Sequence, residues 1–186
     1  MTRIALTGNI ASGKSAVSKI LQENGFKVLD TDEVAHKQLT VKNLKLYNAF
    51  KNYDVFEDGE FSRTKLGKLV FQDDLIRKEL EDILHPQIRK EIENFEGIVA
   101  IPLLFEANMQ DLFDKIVIVY TDDKIRLKRL MCRNNLTEED AKARMNSQIP
   151  QEKKLAMCDY VIYNNGTVEE LKQSVLKLLH SNFDHL

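Results

Sequence analysis

The sequence predicts a three-layer α/β fold built on a five-stranded parallel sheet. Short, continuously apolar segments recur along the chain, helical patterns separate them, and a glycine-rich loop follows the first of them. A continuous apolar run is typical of a strand that is buried on both faces, because a strand with one solvated face alternates. Apolar residues make up 43% of the 186 residues, which is enough for a core of this kind.

Five segments are predicted as strands because they are apolar and mostly β-branched. They span residues 3–7, 26–29, 98–101, 116–120 and 160–163. A helix predicted from Ser12 onward follows the first strand, and Asn24 and Gly25 end it. The strand, the glycine loop and the helix therefore follow one another in the order of a nucleotide-binding α/β domain.

Two helical additions are predicted within one domain that spans residues 1–186. Residues 33–95 are too many for one crossover helix, so we expect a helical substrate-binding insert, with a polar turn at 57–59 and a new helix starting at Pro86. Residues 121–155 predict a lid-like helical hairpin. Its first helix is capped by Thr121 or Asp122, and its second begins at Thr137.

The segment LTGNIASGKS, residues 6–15, carries the strongest functional signal in the chain. It matches G-x-x-x-x-G-K-[ST], the P-loop pattern, whose backbone N–H groups cradle phosphates at a helix N-terminus. Lys14 would bridge the β- and γ-phosphates, and the Ser15 hydroxyl would help hold Mg²⁺. The loop residues predicted to bind the nucleotide are Gly8, Ala11, Ser12, Gly13, Lys14, Ser15 and Ala16.

Two acids follow the second predicted strand. Ligands of an open parallel sheet bind beyond the carboxyl ends of its strands, so we expect Asp30 and Asp32 to lie beside the phosphates. Transfer of a phosphoryl group to a hydroxyl requires a carboxylate that accepts or orients the proton. Asp32 is predicted to be that group, with Asp30 nearer the metal ion. The alternative is structural, a turn acid and a helix N-cap before Glu33.

Arginines recur at helical spacing in the predicted lid, as Arg126, Arg129 and Arg133 on one helix and Arg144 on the next. On a mobile flap they would stabilise the transferring phosphoryl group and exclude water. Such a stripe is more often a solvated face paired with acids. We predict a catalytic role for Arg133 and Arg144 and leave the other two open.

Three further residues are candidates for the acceptor site. His85 precedes Pro86 and either caps, packs or touches a ligand. Leu104 follows the third strand and indicates core or pocket wall, and Glu106 beside it is a candidate substrate contact. The lysines of the insert form a solvated face or steer a phosphorylated substrate; they are Lys37, Lys42, Lys45 and Lys51.

Composition excludes several other classes of protein. The formal net charge of −2 does not favour nucleic-acid binding, and Cys132 and Cys158 lack metal-ligand spacing. The longest apolar run, residues 98–105, contains Pro102 and is too short for a membrane span. Because the N-terminus of the sequence runs directly into the loop, we expect no signal peptide. We therefore expect a cytoplasmic enzyme without an obligate protein partner.

The chain resembles the dephospho-coenzyme A kinase family over nearly its whole length. The segments that carry the resemblance are LTGNIASGKS, KVLDTDEVAH, EDGEFSRTKLGKLVF, LEDILHPQI, VAIPLLFEANM, RLMCRNNLTEEDAKARMNSQ and CDYVIYNNGTVEEL. The loop itself is generic. The ordered set is specific, above all Leu-His-Pro followed by Ile-Pro-Leu-Leu-Phe-Glu.

This resemblance implies ATP- and Mg²⁺-dependent phosphorylation of the ribose 3′-hydroxyl of dephospho-coenzyme A, the last step of coenzyme A synthesis. It implies a nucleotide-kinase-like core with a helical substrate domain and a lid. The site residues that it implies are ATP contacts at residues 11–16, Asp32 as base, the lid arginines Arg133 and Arg144, Asn165 and Gly166 beside the adenine, and His85, Leu104 and Glu106 on the acceptor side.

The loop departs from the family pattern at two positions. Family loops usually read Gly-Gly-Ile-Gly-Ser-Gly-Lys, and Asn9 and Ala11 replace two of those glycines here. If either position needs a positive φ, asparagine tolerates it better than alanine.

The residues alone suggest two alternative functions, a different small-molecule kinase and a GTP-driven switch. Another small-molecule kinase, acting on a nucleoside monophosphate or a sugar, stays open because the shape of the pocket chooses the acceptor. A GTP-driven switch predicts an Asn-Lys-x-Asp clamp and an Asp-x-x-Gly element, and the chain contains neither string.

Overall fold

The computed structural model describes residues 2–182 and divides into two compact units. The sheet unit consists of the described parts of Met1–Thr31 and Phe95–Leu186, and the helical unit is Asp32–Asn94. The strands within the described range are β1 (Ile4–Thr7), β2 (Val28–Asp30), β3 (Phe56–Glu57), β4 (Glu60–Phe61), β5 (Ile98–Ala100), β6 (Lys115–Tyr120) and β7 (Tyr160–Tyr163). Its helices are α1 (Lys14–Glu23), α2 (Thr31–Gln38), α3 (Leu44–Phe50), α4 (Arg63–Gln72), α5 (Asp74–Glu93), α6 (Asp123–Asn134), α7 (Glu138–Asn146), α8 (Gln151–Leu155) and α9 (Val168–Asn182), with a 3₁₀ turn at Gln110–Leu112.

The sheet unit contains a parallel sheet of five strands in the order β2-β5-β1-β6-β7, counted over residues 2–182. This confirms the predicted five-stranded parallel sheet. Ile4 of the central strand lies opposite Ile98 on one side and Lys115 on the other. All four residues of β1 are buried, as its apolar sequence predicts.

The second strand begins two residues later than predicted. The Phe26 N–H donates to the Leu21 carbonyl oxygen and the Gly25 N–H donates to that of Gln22. Gly25 has a φ of 87°. These bonds form a Schellman C-cap, so Phe26 still belongs to the end of α1. The strand starts at Val28, after this cap, and its last residue is Asp30.

Helices α1 and α9 pack together in the sheet unit, and their apolar faces join the strands in one core cluster. Val17 of α1 and Val175 of α9 are fully buried in this cluster. Burying side chains of this size supplies on the order of 2 kcal/mol each. The core therefore fixes the carboxyl ends of the strands, from which the loops of the candidate site extend.

The helical unit has a core of its own, formed by Leu46, Phe50, Val55, Phe61 and Leu66. Strands β3 and β4 pair as a hairpin. Asp58 and Gly59 at its tip have φ angles of 50° and 82°. Positive φ at both central residues defines a type I′ turn, which asparagine, aspartate and glycine favour.

The prediction that a helix starts at Pro86 is wrong, because Pro86 lies inside the twenty-residue helix α5. Leu84, Ile88 and Ile92 are buried on one face on both sides of the proline. Proline has no N–H to donate and disfavours a helix interior. Packing of this continuous apolar face outweighs that local penalty.

None of the helices in residues 2–182 is long and apolar enough to cross a bilayer.

Candidate active site

The phosphate-binding loop joins β1 to α1 through residues 8–13, and one hydrogen bond within its own backbone shapes its turn. The Ser12 N–H donates to the Asn9 carbonyl oxygen at 3.0 Å. Gly13 is left-handed, with φ 98°, and α1 begins at Lys14. The predicted helix start at Ser12 is therefore wrong by two residues, because a left-handed residue cannot belong to a right-handed helix.

Of the two departures from the family loop, only Ala11 takes a left-handed backbone. Its φ is 62°, whereas Asn9 is absent from the positive-φ residues of the described chain. An L-residue with a Cβ is disfavoured in this region by roughly 1–2 kcal/mol. The loop thus keeps its shape with strain at Ala11.

Replacing Ala11 with glycine should therefore raise the free energy of unfolding by about 1 kcal/mol, since glycine adopts a positive φ without that penalty. Urea denaturation followed by circular dichroism measures the change. The matched control is Ala16→Gly in the first turn of α1. It should lower the free energy of unfolding by up to about 1 kcal/mol. Equal losses in the two variants would contradict the strain at Ala11.

The lysine of the loop is buried and points to the end of β2. Its Nζ lies 3.5 Å from Asp30 Oδ2, and the Lys14 side chain is 9% exposed. Ser15 and Ala16 at the start of α1 are exposed. The ammonium group is thus held in place by a carboxylate, while the hydroxyl of Ser15 is open to solvent.

Two polar residues that follow the neighbouring strands β6 and β7 hold the loop by hydrogen bonds. The Thr121 hydroxyl and the Asn164 amide both donate to the Ser12 carbonyl oxygen at 2.8 Å. A Cβ at Gly13 would clash with Asn164 Nδ2. Gly13 is therefore required twice, for its positive φ and for this close approach. Arg129 Nη2 donates to the Asn164 carbonyl oxygen at 3.1 Å.

Arg126 braces the loop rather than facing solvent. It is 3% exposed, its Nε donates to the Ile10 carbonyl oxygen at 3.0 Å, and its Nη1 pairs with Asp123 Oδ1 at 2.7 Å. Burial lowers the pKa of the guanidinium, and Asp123 opposes that shift. Gln151 Nε2 also donates to Asp123 Oδ1, at 2.9 Å. Arg126 therefore contributes to the loop's shape.

We expect Arg126→Leu to lower the free energy of unfolding by about 2 kcal/mol, because it removes a buried, charge-assisted hydrogen bond to a loop carbonyl. Chemical denaturation measures the change. Lys128→Met, at an exposed position of the same helix, is the control and should stay within about 0.5 kcal/mol of the wild type. Similar losses in both variants would contradict a bracing role for Arg126.

The two arginines predicted to be catalytic lie on the surface. Arg133 and Arg144 are both exposed, and Arg133 Nε donates to Asn134 Oδ1. Thr137 caps α7, as predicted, by accepting from the Asp140 N–H. Asp122 is the N-cap position of α6, but its side chain accepts from Asn165 Nδ2 instead of a helix N–H.

An aromatic pair closes the ends of β6 and β7, next to Asn165. The rings of Tyr120 and Tyr163 pack edge to face with centroids 5.6 Å apart. Burial and the neighbouring acids Glu152 and Asp122 raise the pKa of Tyr120. The phenol therefore stays neutral near pH 7, and Tyr163 leaves much of its ring exposed.

Comparison with known proteins identifies the family. The family model described as dephospho-CoA kinase matches residues 2–170. The chain belongs to the dephospho-CoA kinase family. The dephospho-CoA kinase of Staphylococcus haemolyticus is 44% identical to it over 188 residues, which cover 95% of this chain and 93% of the relative.

Two solved structures show the same fold. TT1252 from Thermus thermophilus matches with a TM-score of 0.82 and 32% identity, over 97% of both chains. The dephospho-CoA kinase from Campylobacter jejuni matches with a TM-score of 0.70 and 33% identity, over 96% of both chains. The P-loop fold with its five-stranded parallel sheet and the family expected from the sequence are thus confirmed.

The residues expected on the acceptor side of a dephospho-CoA kinase lie in different parts of this chain. Leu104 is fully buried, and Glu106 Oε1 lies 2.7 Å from Lys154 Nζ and accepts from the Ile149 N–H. His85 is half-buried on α5, and Asp32 is exposed in the first turn of α2. The last two belong to the helical unit. Their roles stay predictions.

Several residues that shape this dephospho-CoA kinase site carried little signal in the sequence. Thr121 and Asn164 could have been found, because each is the first polar residue after an apolar strand. Gln148 ends one of the segments that resemble the dephospho-CoA kinase family, whereas Gln151 and Lys154 lie outside those segments. Lys154 is fully buried, and nothing in its spacing indicates this, because its partner Glu106 is far away in the chain.

Proposed function

We propose that this protein transfers the γ-phosphoryl group of ATP to the ribose 3′-hydroxyl of dephospho-coenzyme A, giving coenzyme A and ADP. The observation that carries the proposal is membership of the dephospho-CoA kinase family across residues 2–170. The P-loop geometry at Gly13 and Lys14 supports it, because the loop ends at a helix N-terminus with its lysine held in place.

The loop would bind the triphosphate through the backbone N–H groups of residues 11–16, where the partial positive charge of the α1 N-terminus adds to the attraction. The ammonium group of Lys14, which pairs with Asp30, would move toward the triphosphate and contact the β- and γ-phosphates. The buried position of Lys14 keeps its ammonium group poorly hydrated and therefore effective against the developing charge.

The donors near the loop suit Mg²⁺. This ion prefers oxygen ligands, keeps several waters, and is bound through one or two protein groups plus substrate phosphates. The exposed Ser15 hydroxyl at the start of α1 and the Asp30 carboxylate are oxygen donors of that type. Ser15 would hold the ion, which would neutralise charge on the phosphates, and Asp30 would orient its waters.

Asp32 is proposed as the base. Its carboxylate would accept the proton of the 3′-hydroxyl while that oxygen bonds to the γ-phosphorus and the bond to the ADP oxygen breaks. The position of Asp32 in the chain supports this role. It follows the last residue of β2, Asp30, by two positions, and Asp30 pairs with Lys14.

One of the two helical additions is proposed to bind the acceptor, and the other is proposed to close over the active site. Residues 33–95 would bind the substrate, with His85 on that side, and Leu104 and Glu106 would bound the acceptor site. Residues 121–155 would act as a lid that brings Arg133 and Arg144 to the transferring group. Their exposure in the present structure is compatible with such a movement. Asn165 and Gly166 would border the adenine.

A release assay for ADP tests the proposal. The protein is incubated with ATP and Mg²⁺, and dephospho-coenzyme A, AMP, CMP, shikimate and gluconate are offered separately. Turnover with dephospho-coenzyme A alone, with a new 3′-phosphate on the product, is the expected result. Turnover only with another acceptor would leave the phosphate-loop argument standing and overturn the substrate.

A further inference from the structure

Two consecutive residues of the phosphate-binding loop are held from outside by two consecutive residues that follow α7. The Ile10 N–H donates to Gln148 Oε1 at 2.8 Å, and Asn9 Nδ2 donates to the Ile149 carbonyl oxygen at 2.9 Å. We call these four residues the loop clasp. Asn9 is 3% exposed, so its bond is shielded from competing water.

Ile149 of the loop clasp also makes a hydrogen bond to Glu106, in the segment that follows β5. The Ile149 N–H donates to Glu106 Oε1 at 3.1 Å. The same carboxylate oxygen lies 2.7 Å from Nζ of Lys154, which is completely buried. A carboxylate fixed by a buried ammonium group is a rigid acceptor, because moving either charge away from the other would leave it unpaired. Ile149 is thereby held on both its N–H and its carbonyl oxygen.

Gln148 and Ile149 of the loop clasp come directly after α7 and its C-cap residue, and α7 is the helix that carries Arg144. Arg144 lies in the last turn of α7, and the Ser147 hydroxyl donates to the Arg144 carbonyl oxygen at 2.9 Å. Ser147 is the C-cap of the helix, and Gln148 is the next residue. Whatever fixes Gln148 therefore also fixes the end of the helix from which Arg144 projects.

We propose that Gln148 is a positioning residue that couples the phosphate-binding loop to Arg144. Its side chain holds the amide of Ile10, so the end of α7 stays anchored to the loop that binds the triphosphate while the rest of the proposed lid moves. Asn9 supplies the second bond of the same coupling. Gln148 itself touches no substrate in this scheme. The inference rests on the proposed function, in which Arg144 acts on the transferring group.

A pair of substitutions at Gln148 separates this role from simple loss of packing. Gln148→Leu removes the acceptor for the Ile10 N–H, and kcat with dephospho-coenzyme A should fall by about 10- to 100-fold, as expected when a catalytic group is misplaced. The KM for ATP should change by less than about threefold, because the cradle itself remains. Gln148→Glu keeps an oxygen acceptor and should restore kcat. The negative charge that glutamate adds should instead raise the KM for ATP, because it repels the phosphates.

A double-mutant cycle with Arg144→Ala then decides whether Gln148 acts through Arg144. If it does, Gln148→Leu should cost less than about twofold in kcat once Arg144 is already alanine, since coupled residues are not additive. Full additivity would overturn the coupling. An Arg144→Ala enzyme with unchanged kcat would also overturn it. Both results leave the phosphotransfer reaction standing, because that depends on turnover of dephospho-coenzyme A by the wild type. An Arg144→Ala enzyme with unchanged kcat would, however, also remove the proposed role of Arg144.

The control and the fallback variant use the same measurements. Gln173→Leu, on the exposed face of α9, makes the same chemical change away from the loop and should leave kcat within about twofold of the wild type. If Gln148→Leu is unfolded in a melting experiment, Asn9→Gly removes the other clasp bond alone. Its smaller loss of kcat should likewise vanish in the Arg144→Ala background, and a loss that persists there would contradict the proposal.

Discussion

Replacing Lys14 with methionine should lower kcat for dephospho-coenzyme A by about 10²–10³-fold, the loss seen when one preorganised donor is removed from a charged transition state. Methionine keeps an unbranched stem of similar length but has no ammonium group. Steady-state ADP release at saturating ATP and acceptor measures the change. Binding of ATP, measured by calorimetry, should weaken as well, because Lys14 would contact the phosphates before and during transfer.

The fold should survive this substitution. Lys14 pairs with Asp30 at 3.5 Å, and the Asp30 side chain is 27% exposed, so water can solvate the carboxylate after the ammonium group is removed. The free energy of unfolding should therefore change by no more than about 1 kcal/mol. A large loss of stability would mean that the Lys14–Asp30 pair serves the fold more than the chemistry.

Lys19→Met provides the matched control on the same helix. Lys19 is exposed and makes only a surface ion pair with Glu23, at 3.8 Å. Such pairs contribute on the order of 0.5 kcal/mol or less. Turnover of Lys19→Met should stay within about twofold of the wild type, and equal losses in the two lysine variants would contradict a specific role for the loop lysine.

Local pattern was enough to predict the sheet and the loop. The strands of the five-stranded sheet follow short apolar runs in the sequence. The central strand β1 is buried throughout, as a continuous apolar run predicts. The edge strand β7 begins and ends where its apolar run does, although most of its residues are partly exposed. The phosphate-binding loop was predicted because its residues are adjacent in sequence. The errors lie where distant packing decides. Buried Leu84 and Ile88 carry α5 through Pro86, although proline alone favours a helix start.

Charges with distant partners could not be predicted from spacing. Arg126 lies on an arginine stripe that is typical of a solvated face, yet its guanidinium is buried against the carbonyl oxygen of Ile10. Lys154 is buried because Glu106, which follows another strand, accepts its charge. A side chain shows its own charge in the sequence, but its burial depends on a partner brought close only by the fold.

Replacing Asp32 with asparagine should lower kcat by about 10²–10⁴-fold, the usual contribution of a general base. Asparagine keeps the size and the hydrogen-bonding oxygen of the side chain, but its amide cannot take up the proton of the 3′-hydroxyl. Binding of ATP should remain close to that of the wild type, because the loop that would hold the phosphates is unchanged. Single-turnover ADP formation and calorimetry measure the two effects separately.

Glu33→Gln is the control for Asp32→Asn, since Glu33 is the next residue in the same first turn of α2 and is also exposed. Both variants lose one negative charge beside the N-terminus of the helix, which favours acids by about 0.3–1 kcal/mol. An effect that came only from this helix interaction would appear equally in both. Loss of turnover in Asp32→Asn alone would therefore locate the proton acceptor at residue 32. An Asp32→Asn enzyme within about threefold of the wild type would leave the carboxylate as a helix N-terminal acid and assign the proton to another group.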